Sequence, residues 1–315
     1  MKYLKYFEDN IPENSPIDNQ LHVFDFDDTL GVTKNANGVM LYKNGVAAHK
    51  TPEEVLDWLS KYGLSEADLI PGPDGQTIQF FDNLGGYAAY VDSAKLAVLT
   101  KSKDFFEKDR RYSSGNGLPP ENIDQALYVD FTPSGYIDQT TTKPIRSVIK
   151  KLTDMEEQGA DTMVLTARAG EGVGVNFKGE EVPITNKRDI EEFLKANDDN
   201  KSTKPVDVVV GLGGKKGGDK GDFIFQSLDN KGEKPKEVAG EFPKQIRNKI
   251  KRLGEWPDEI HFYDDADQNT IAVDNALGKG KVPSEVYIYG PGEFAKADSS
   301  SPNPNIPTKA YKNKK

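Results

Sequence analysis

The stretch HVFDFDDTLGV, residues 22–32, closes an apolar run with three aspartates. Leu21, His22, Val23 and Phe24 have the composition of a strand buried on both faces, where carboxylates are normally kept out. Asp25, Asp27 and Asp28 therefore need a compensating partner, either water at a turn or a cation. Two further apolar runs end in polar, reactive residue types: MVLT closes at Thr166, and IHFY leads into Asp264 and Asp265. Sites in doubly wound sheets form outside the carboxyl ends of the strands. If these strands are neighbours, several carboxylates meet there and repel. The usual remedy is a hard divalent cation with oxygen ligands, Mg²⁺ being the commonest.

The rest of the chain supplies the elements of such a sheet. In KPIRSVIKKLTDM, Ile145, Val148, Ile149, Leu152 and Met155 recur at helical spacing, and the strand TMVLTA follows. A helix beginning near Thr185 leads to the apolar strand VDVVVGL, the helix PKQIRNKIKRLG leads to EIHFYDD, and EVYIYG ends at Gly290. Strands apolar along their length and alternating with helices predict an α/β fold, a three-layer doubly wound parallel sheet. Asn37-Gly38 between two short runs predicts a hairpin after the acidic cluster. Thr51-Pro52-Glu53-Glu54 has the form of a capping box opening a helix with Val55, Leu56 and Leu59 on its apolar stripe. Between there and residue 140 apolar pieces alternate with Gly, Pro and Ser clusters and show no regular βα rhythm. The expected organisation is an N-terminal extension (1–18), a catalytic core (19–44 and 141–292), a cap insertion (45–140) and a flexible tail (293–315).

Composition narrows the function. The net charge of −10 argues against a general basic surface for duplex DNA, and with no cysteine among 315 residues any metal must sit on oxygen or on one of three histidines. MKYLKYFEDNIPENSP lacks the continuous apolar core of a signal peptide, and no stretch approaches the roughly 20 apolar residues of a membrane span. The expectation is a soluble, cytoplasmic protein without a membrane partner.

These residues also carry a resemblance. DFDDT at 25–29 resembles the first motif of the haloacid dehalogenase-like phosphohydrolases, Asp-x-Asp-x-Thr after a hydrophobic strand; Thr166 resembles the second, and YDDADQN at 263–269 the fourth. Lys244, at the start of the helix before that last strand, suits the third, a lone lysine for which Lys187, Lys216 and Lys220 compete. Order, placement and spacing agree over about residues 19–290 apart from the insertion.

The resemblance implies roles. Asp25 would be the nucleophile that forms an aspartyl-phosphate and a metal ligand. Asp27 would protonate the leaving oxygen, activate the hydrolytic water, and ligate through its main-chain carbonyl. Its acidic side chain favours phosphatase or phosphomutase chemistry over the family's ATPases, dehalogenases and phosphonatases. Thr166 would bind a phosphoryl oxygen, and Lys244 would offset the gathered charge. Asp265 would be the direct ligand of the last motif, Asp264 a supporting ligand, and Asn269 would take the outer-shell position; Asn here replaces the family's Asp, and Asp264 replaces its Gly. The implied cofactor is Mg²⁺ and the substrate a small phosphomonoester. TAR and YDD are also similar to segments of bacterial acid phosphatases and polynucleotide 3′-phosphatases, which adds nucleotides and nucleic-acid ends, although the acidic charge disfavours long polynucleotides. A phosphotransferase or phosphomutase of the same fold, and a non-catalytic phosphate- or metal-binding module, are the alternatives.

Arg168, two residues past Thr166, is placed either to meet a second anionic group of a substrate or on the surface. Asp28 reads as a turn contact and His22 and His261 as buried, hydrogen-bonded histidines. GLGGKKGGDKGD at 211–222 matches neither nucleotide-loop pattern and reads as a loop leaving a strand.

Overall fold

The structure is a computed structural model that describes residues 19–33, 35–106, 110–201, 204–212, 220, 224, 257–277, 284–290 and 311–312. The chain divides into two compact units, one of Met1–Thr33, Asp138–Gly170 and Lys187–Lys315, the other of Lys34–Ile137 and Glu171–Asn186.

In the first unit five parallel strands lie in the order Val208–Gly211, Asp161–Thr166, Gln20–Phe24, Glu259–Tyr263, Glu285–Tyr289. Counted along the chain this is 3-2-1-4-5, so the direction of winding reverses at Gln20–Phe24 and a crevice is expected at its carboxyl end. The α/β class read from the sequence is what the chain adopts. Leu21, Val23, Met163, Leu165, Ile260, Phe262 and Ile288 share one face of the sheet and pack with Val273 and Leu277 of helix Asp267–Leu277. Helix Arg146–Glu157, with Val148, Ile149, Leu152 and Met155 buried, packs on the strands of Asp25 and Thr166. Its Lys151 lies close enough to perturb His22 and His261, which places this helix on the opposite face.

That second face carries a ladder of rings. Phe24, Tyr263 and Tyr289 stack at 4.2 and 4.4 Å, and His22, His261 and Tyr287 at 4.3 and 4.7 Å, because parallel in-register strands bring equivalent side chains one above another. Hydrogen bonds satisfy the buried imidazoles: His22 meets the Tyr263 hydroxyl and Gln20, and His261 meets the Tyr289 hydroxyl and Glu259. Burial lowers both histidine pKa values; His261 and Lys151 add to this at His22, while at His261 Glu259 opposes and Lys151 adds a small lowering. A histidine held neutral in the fold but free to protonate when unfolded removes stability as pH falls below about 6.5. The stability advantage of the native chain over a His22→Gln/His261→Gln variant should therefore shrink between pH 7.5 and 5.5 in urea unfolding. A difference that does not change with pH would show that the ladder does not hold its histidines neutral.

Three expectations are corrected here. Tyr311–Lys312, read as part of a flexible tail, pairs antiparallel with Tyr287 and Ile288 and covers the sheet edge, whose backbone groups would otherwise be open. The hairpin turn is not at Asn37-Gly38, which lies inside strand Asn37–Lys43; the turn is Asn44-Gly45, with φ of 49° and 77°, and joins that strand to Val46–Ala47. Gly38 is small for another reason, since a Cβ there would come within 2.8 Å of the Phe177 ring. Third, the hairpin and residues 171–186, both assigned to the core, belong to the second unit, while Asp138–Gly170 begins the first unit's return slightly earlier than residue 141. Phe177, at the tip of the Gly172–Val175/Glu181–Ile184 ribbon, is buried against Tyr128 and Phe81 and its N–H donates to Asp130, which ties that segment down.

The insertion is more regular than its sequence reads. Strands Ile78–Phe81, Gly86–Val91, Asn37–Lys43, Ala126–Asp130 and Arg111–Ser113 form one sheet in that order, and helices Pro52–Ser60 and Ser93–Thr100 contribute to the core on its Val39, Leu41 and Val129 face. Thr51 caps the first helix by accepting from Glu54 N, and the Glu54 carboxylate accepts in turn from Lys50 N and, more weakly, from the Thr51 backbone, as the capping-box pattern expects. Residues 1–18 and most of the tail lie outside the described residues, and among those described no helix is long and apolar enough to cross a membrane.

Candidate functional site

Strand register brings the acidic segments level. Asp25 N donates to Tyr263 O at 2.8 Å and Asp264 N to Tyr289 O at 3.2 Å, so each acidic residue continues its strand's ladder before the chain turns away. The result is a cluster in which Asp25, Asp264 and Asp265 each offer a carboxylate oxygen within 4.8 Å of the others. Asp28 adopts φ 56°, a left-handed conformation that aspartate tolerates, and its N–H donates to Gly31 O, which makes it the turn residue expected. Thr29, within the first motif but given no role by sequence reasoning, is buried and its hydroxyl accepts from Asp265 N at 3.1 Å. It fixes one acidic loop to the other.

Among the described residues, the cation in this cluster is Lys220. Its Nζ lies 2.7 Å from Asp25 Oδ1 and 2.6 Å from Asp264 Oδ2, and the side chain is only 2% exposed. Lys244, the preferred third-motif lysine, lies outside the described residues. Lys220 was among the competitors, but the glycines around it read as an open loop and hid its placement.

The two aspartates of the last motif divide the work. Asp264 accepts from Ala266 N at 2.9 Å, from Asn269 Nδ2 through both oxygens at 3.0 Å, and from Lys220. Among the described residues no hydrogen bond is placed on the Asp265 carboxylate, which leaves its oxygens able to ligate. Asn269 thus acts on Asp264, holding it in place.

Electrostatics show what the cluster lacks. Burial pushes the Asp25 carboxyl up to about 7; Lys220 opposes, and Asp264 and Asp27 add to the rise. Asp265 is raised well above the carboxylate range by burial and then by the charges of Asp25, Asp264 and Asp28. Burial pulls the Lys220 ammonium down, but Asp25 and Asp264 outweigh it and hold it charged. Among the described residues three carboxylates stand against one ammonium, a formal excess, when all are ionised, of two negative charges that one divalent cation would match. An all-oxygen donor set of this kind suits Mg²⁺, Mn²⁺ or Ca²⁺ rather than zinc.

Asp27 and Arg168 form a separate pair. Arg168 Nε donates to Asp27 Oδ2 at 2.9 Å and Nη2 to Oδ1 at 2.7 Å, while the Thr33 hydroxyl donates to Oδ1 at 2.5 Å. The arginine is thus directed at Asp27. Thr166 is buried at its strand end, and its hydroxyl accepts from Arg168 N at 3.2 Å, so its own proton can be donated elsewhere. Carboxylates, one fixed ammonium and a hydroxyl gathered at the switch point are equipped to bind a cation with an anionic oxygen ligand. No protein-family model, curated protein or solved structure matches this chain.

Proposed function

We propose that the protein is a Mg²⁺-dependent phosphomonoester hydrolase of the haloacid dehalogenase-like kind, with a three-layer doubly wound core. The observation that carries this reading is Asp25 at the carboxyl end of the central strand, flanked by Asp264, Asp265 and Lys220. Asp25 and Asp265 carboxylates, with the Asp27 main-chain carbonyl, would hold the ion, and Asp264 would support them. When bound, Mg²⁺ supplies compensation for the charge gathered between Asp25 and the phosphoryl oxygens.

Chemistry by the chain's own residues follows. An Asp25 oxygen attacks phosphorus, the ester P–O bond breaks with its electron pair on the leaving oxygen, and Asp27 donates the proton that oxygen needs. Asp27 then takes a proton from a water molecule, which attacks the aspartyl-phosphate; the bond to Asp25 breaks and inorganic phosphate leaves. Lys220 and Thr166 hold the phosphoryl oxygens during both displacements.

The test is phosphate release from p-nitrophenyl phosphate, nucleotides, sugar phosphates and 3′- or 5′-phosphorylated oligonucleotides, with Mg²⁺ and with EDTA. Release that EDTA stops and Mg²⁺ restores is expected. Transfer to an added alcohol with little free phosphate would replace hydrolase by transferase. Magnesium binding without turnover of any substrate would leave a binding module.

A further inference from the structure

Arg168 was open to two readings, a receptor for a second anionic group of the substrate or a surface residue, and its geometry assigns it to neither. We infer that Arg168 and Thr33 are positioning residues that aim the Asp27 carboxylate at the leaving oxygen, an inference that rests on the phosphohydrolase reading above. The arginine side chain is 5% exposed, whereas that of Asp27 is 32% exposed, so the guanidinium sits behind the carboxylate and the carboxylate faces outward. Both oxygens of Asp27 are gripped by adjacent guanidinium nitrogens, which fixes the plane of the carboxylate as well as its position. Thr33 completes the clamp by donating to Oδ1 at 2.5 Å while accepting from Arg168 Nη2 at 3.2 Å.

The arginine's own backbone is held. Its N–H donates to Thr166 Oγ1, Leu212 N donates to Thr166 O, and Ala169 bridges Leu212. Gly211 lets this happen: a Cβ there would lie 2.2 Å from Gly170 N and 2.5 Å from Arg168 O. The segment after Thr166 therefore lies flat on the neighbouring strand, and one short stretch carries both the phosphoryl contact and the anchor of the acid. A general acid works only within hydrogen-bond reach of its target, so fixing its direction is what such a clamp supplies.

Leaving-group dependence separates this role from a merely structural one. A nitrophenolate leaves without protonation and an alkoxide does not, and kcat/KM reports formation of the aspartyl-phosphate, the step in which the proton is given. For Arg168→Gln we expect kcat/KM to fall about 10²-fold or more with an alkyl phosphate and only a few-fold with p-nitrophenyl phosphate. Arg168→Lys, which keeps the charge but not the fork, should show the same pattern. Thr33→Val, a near-isosteric change, should show it more weakly and guards against misfolding of the arginine variants. The double variant Asp27→Asn/Arg168→Gln should be no slower on the alkyl substrate than Asp27→Asn alone. Additive losses, or equal losses on both substrates for Arg168→Gln and Thr33→Val, would overturn the inference and return Arg168 to substrate binding or to the fold. Native protein inactive on every substrate would instead overturn the hydrolase reading and the inference with it.

Discussion

Asp25→Asn is expected to abolish metal-dependent phosphate release, by about 10³-fold or more, while leaving the metal-free protein folded and more stable than the native chain at neutral pH. The two halves have one cause. Asp25 stands where burial disfavours its ionised form; Lys220 returns part of that penalty and the Asp264 and Asp27 charges add to it, so its carboxyl sits up at about 7. A carboxyl raised in the folded state binds a proton there that the unfolded chain has already lost, so stability falls as pH rises through the interval between about 4 and 7. Asparagine is close to the same shape and has no such charge to bury. Its stability advantage should therefore be largest near pH 7.5 and vanish towards pH 4. Thermal unfolding in EDTA across that range checks the sign, and phosphate release checks the chemistry. A variant both inactive and destabilised at pH 7.5 would show that Asp25 supports the fold and that its position says nothing about nucleophilicity.

How much was legible beforehand depended on whether a residue's role is local. The strand ends at Asp25, Thr166 and Asp264 could be read because an apolar run followed by carboxylates is a short-range pattern, and in-register pairing of adjacent parallel strands then brings them together. Helices such as Arg146–Glu157 announced themselves through their apolar spacing. What failed was long-range. Gly38 looked like a turn residue because Asn-Gly is a strong local signal, but the glycine answers to Phe177, far along the chain. Ala126–Asp130 and Gly86–Val91 find their partners across long, irregular connections, and antiparallel pairing between such segments leaves no period to count. Arg168 was seen as a cation near the site, but only coordinates show that its fork fits Asp27, 141 residues earlier. Lys220 was hidden by its neighbours: in a glycine-rich stretch, no spacing rule distinguishes one lysine from the next.

Lys220→Met should destabilise the protein by about 3–5 kcal/mol at pH 8, because it removes the ammonium that pairs with both Asp25 and Asp264 and leaves those buried carboxylates without it. Methionine fills similar volume, so the loss reports charge more than a cavity. With the ammonium gone, the Asp25 carboxyl, already raised by burial, can stay folded only by taking up a proton, so its folded pKa rises further above the unfolded one. The deficit must then grow as pH rises and shrink as pH falls towards 5. Mg²⁺ should restore part of the stability, since a divalent cation on Asp25 and Asp265 replaces the missing charge, yet turnover should stay about 10²–10³-fold down because the ammonium no longer meets the phosphoryl oxygens. Urea unfolding at pH 5 and pH 8, with Mg²⁺ and with EDTA, reads every part of this. The same series on Lys244→Met decides between the two lysines. If the pH-dependent deficit and its repair by Mg²⁺ appear there and not at Lys220, the partner of Asp25 and Asp264 is the lysine the sequence pattern prefers.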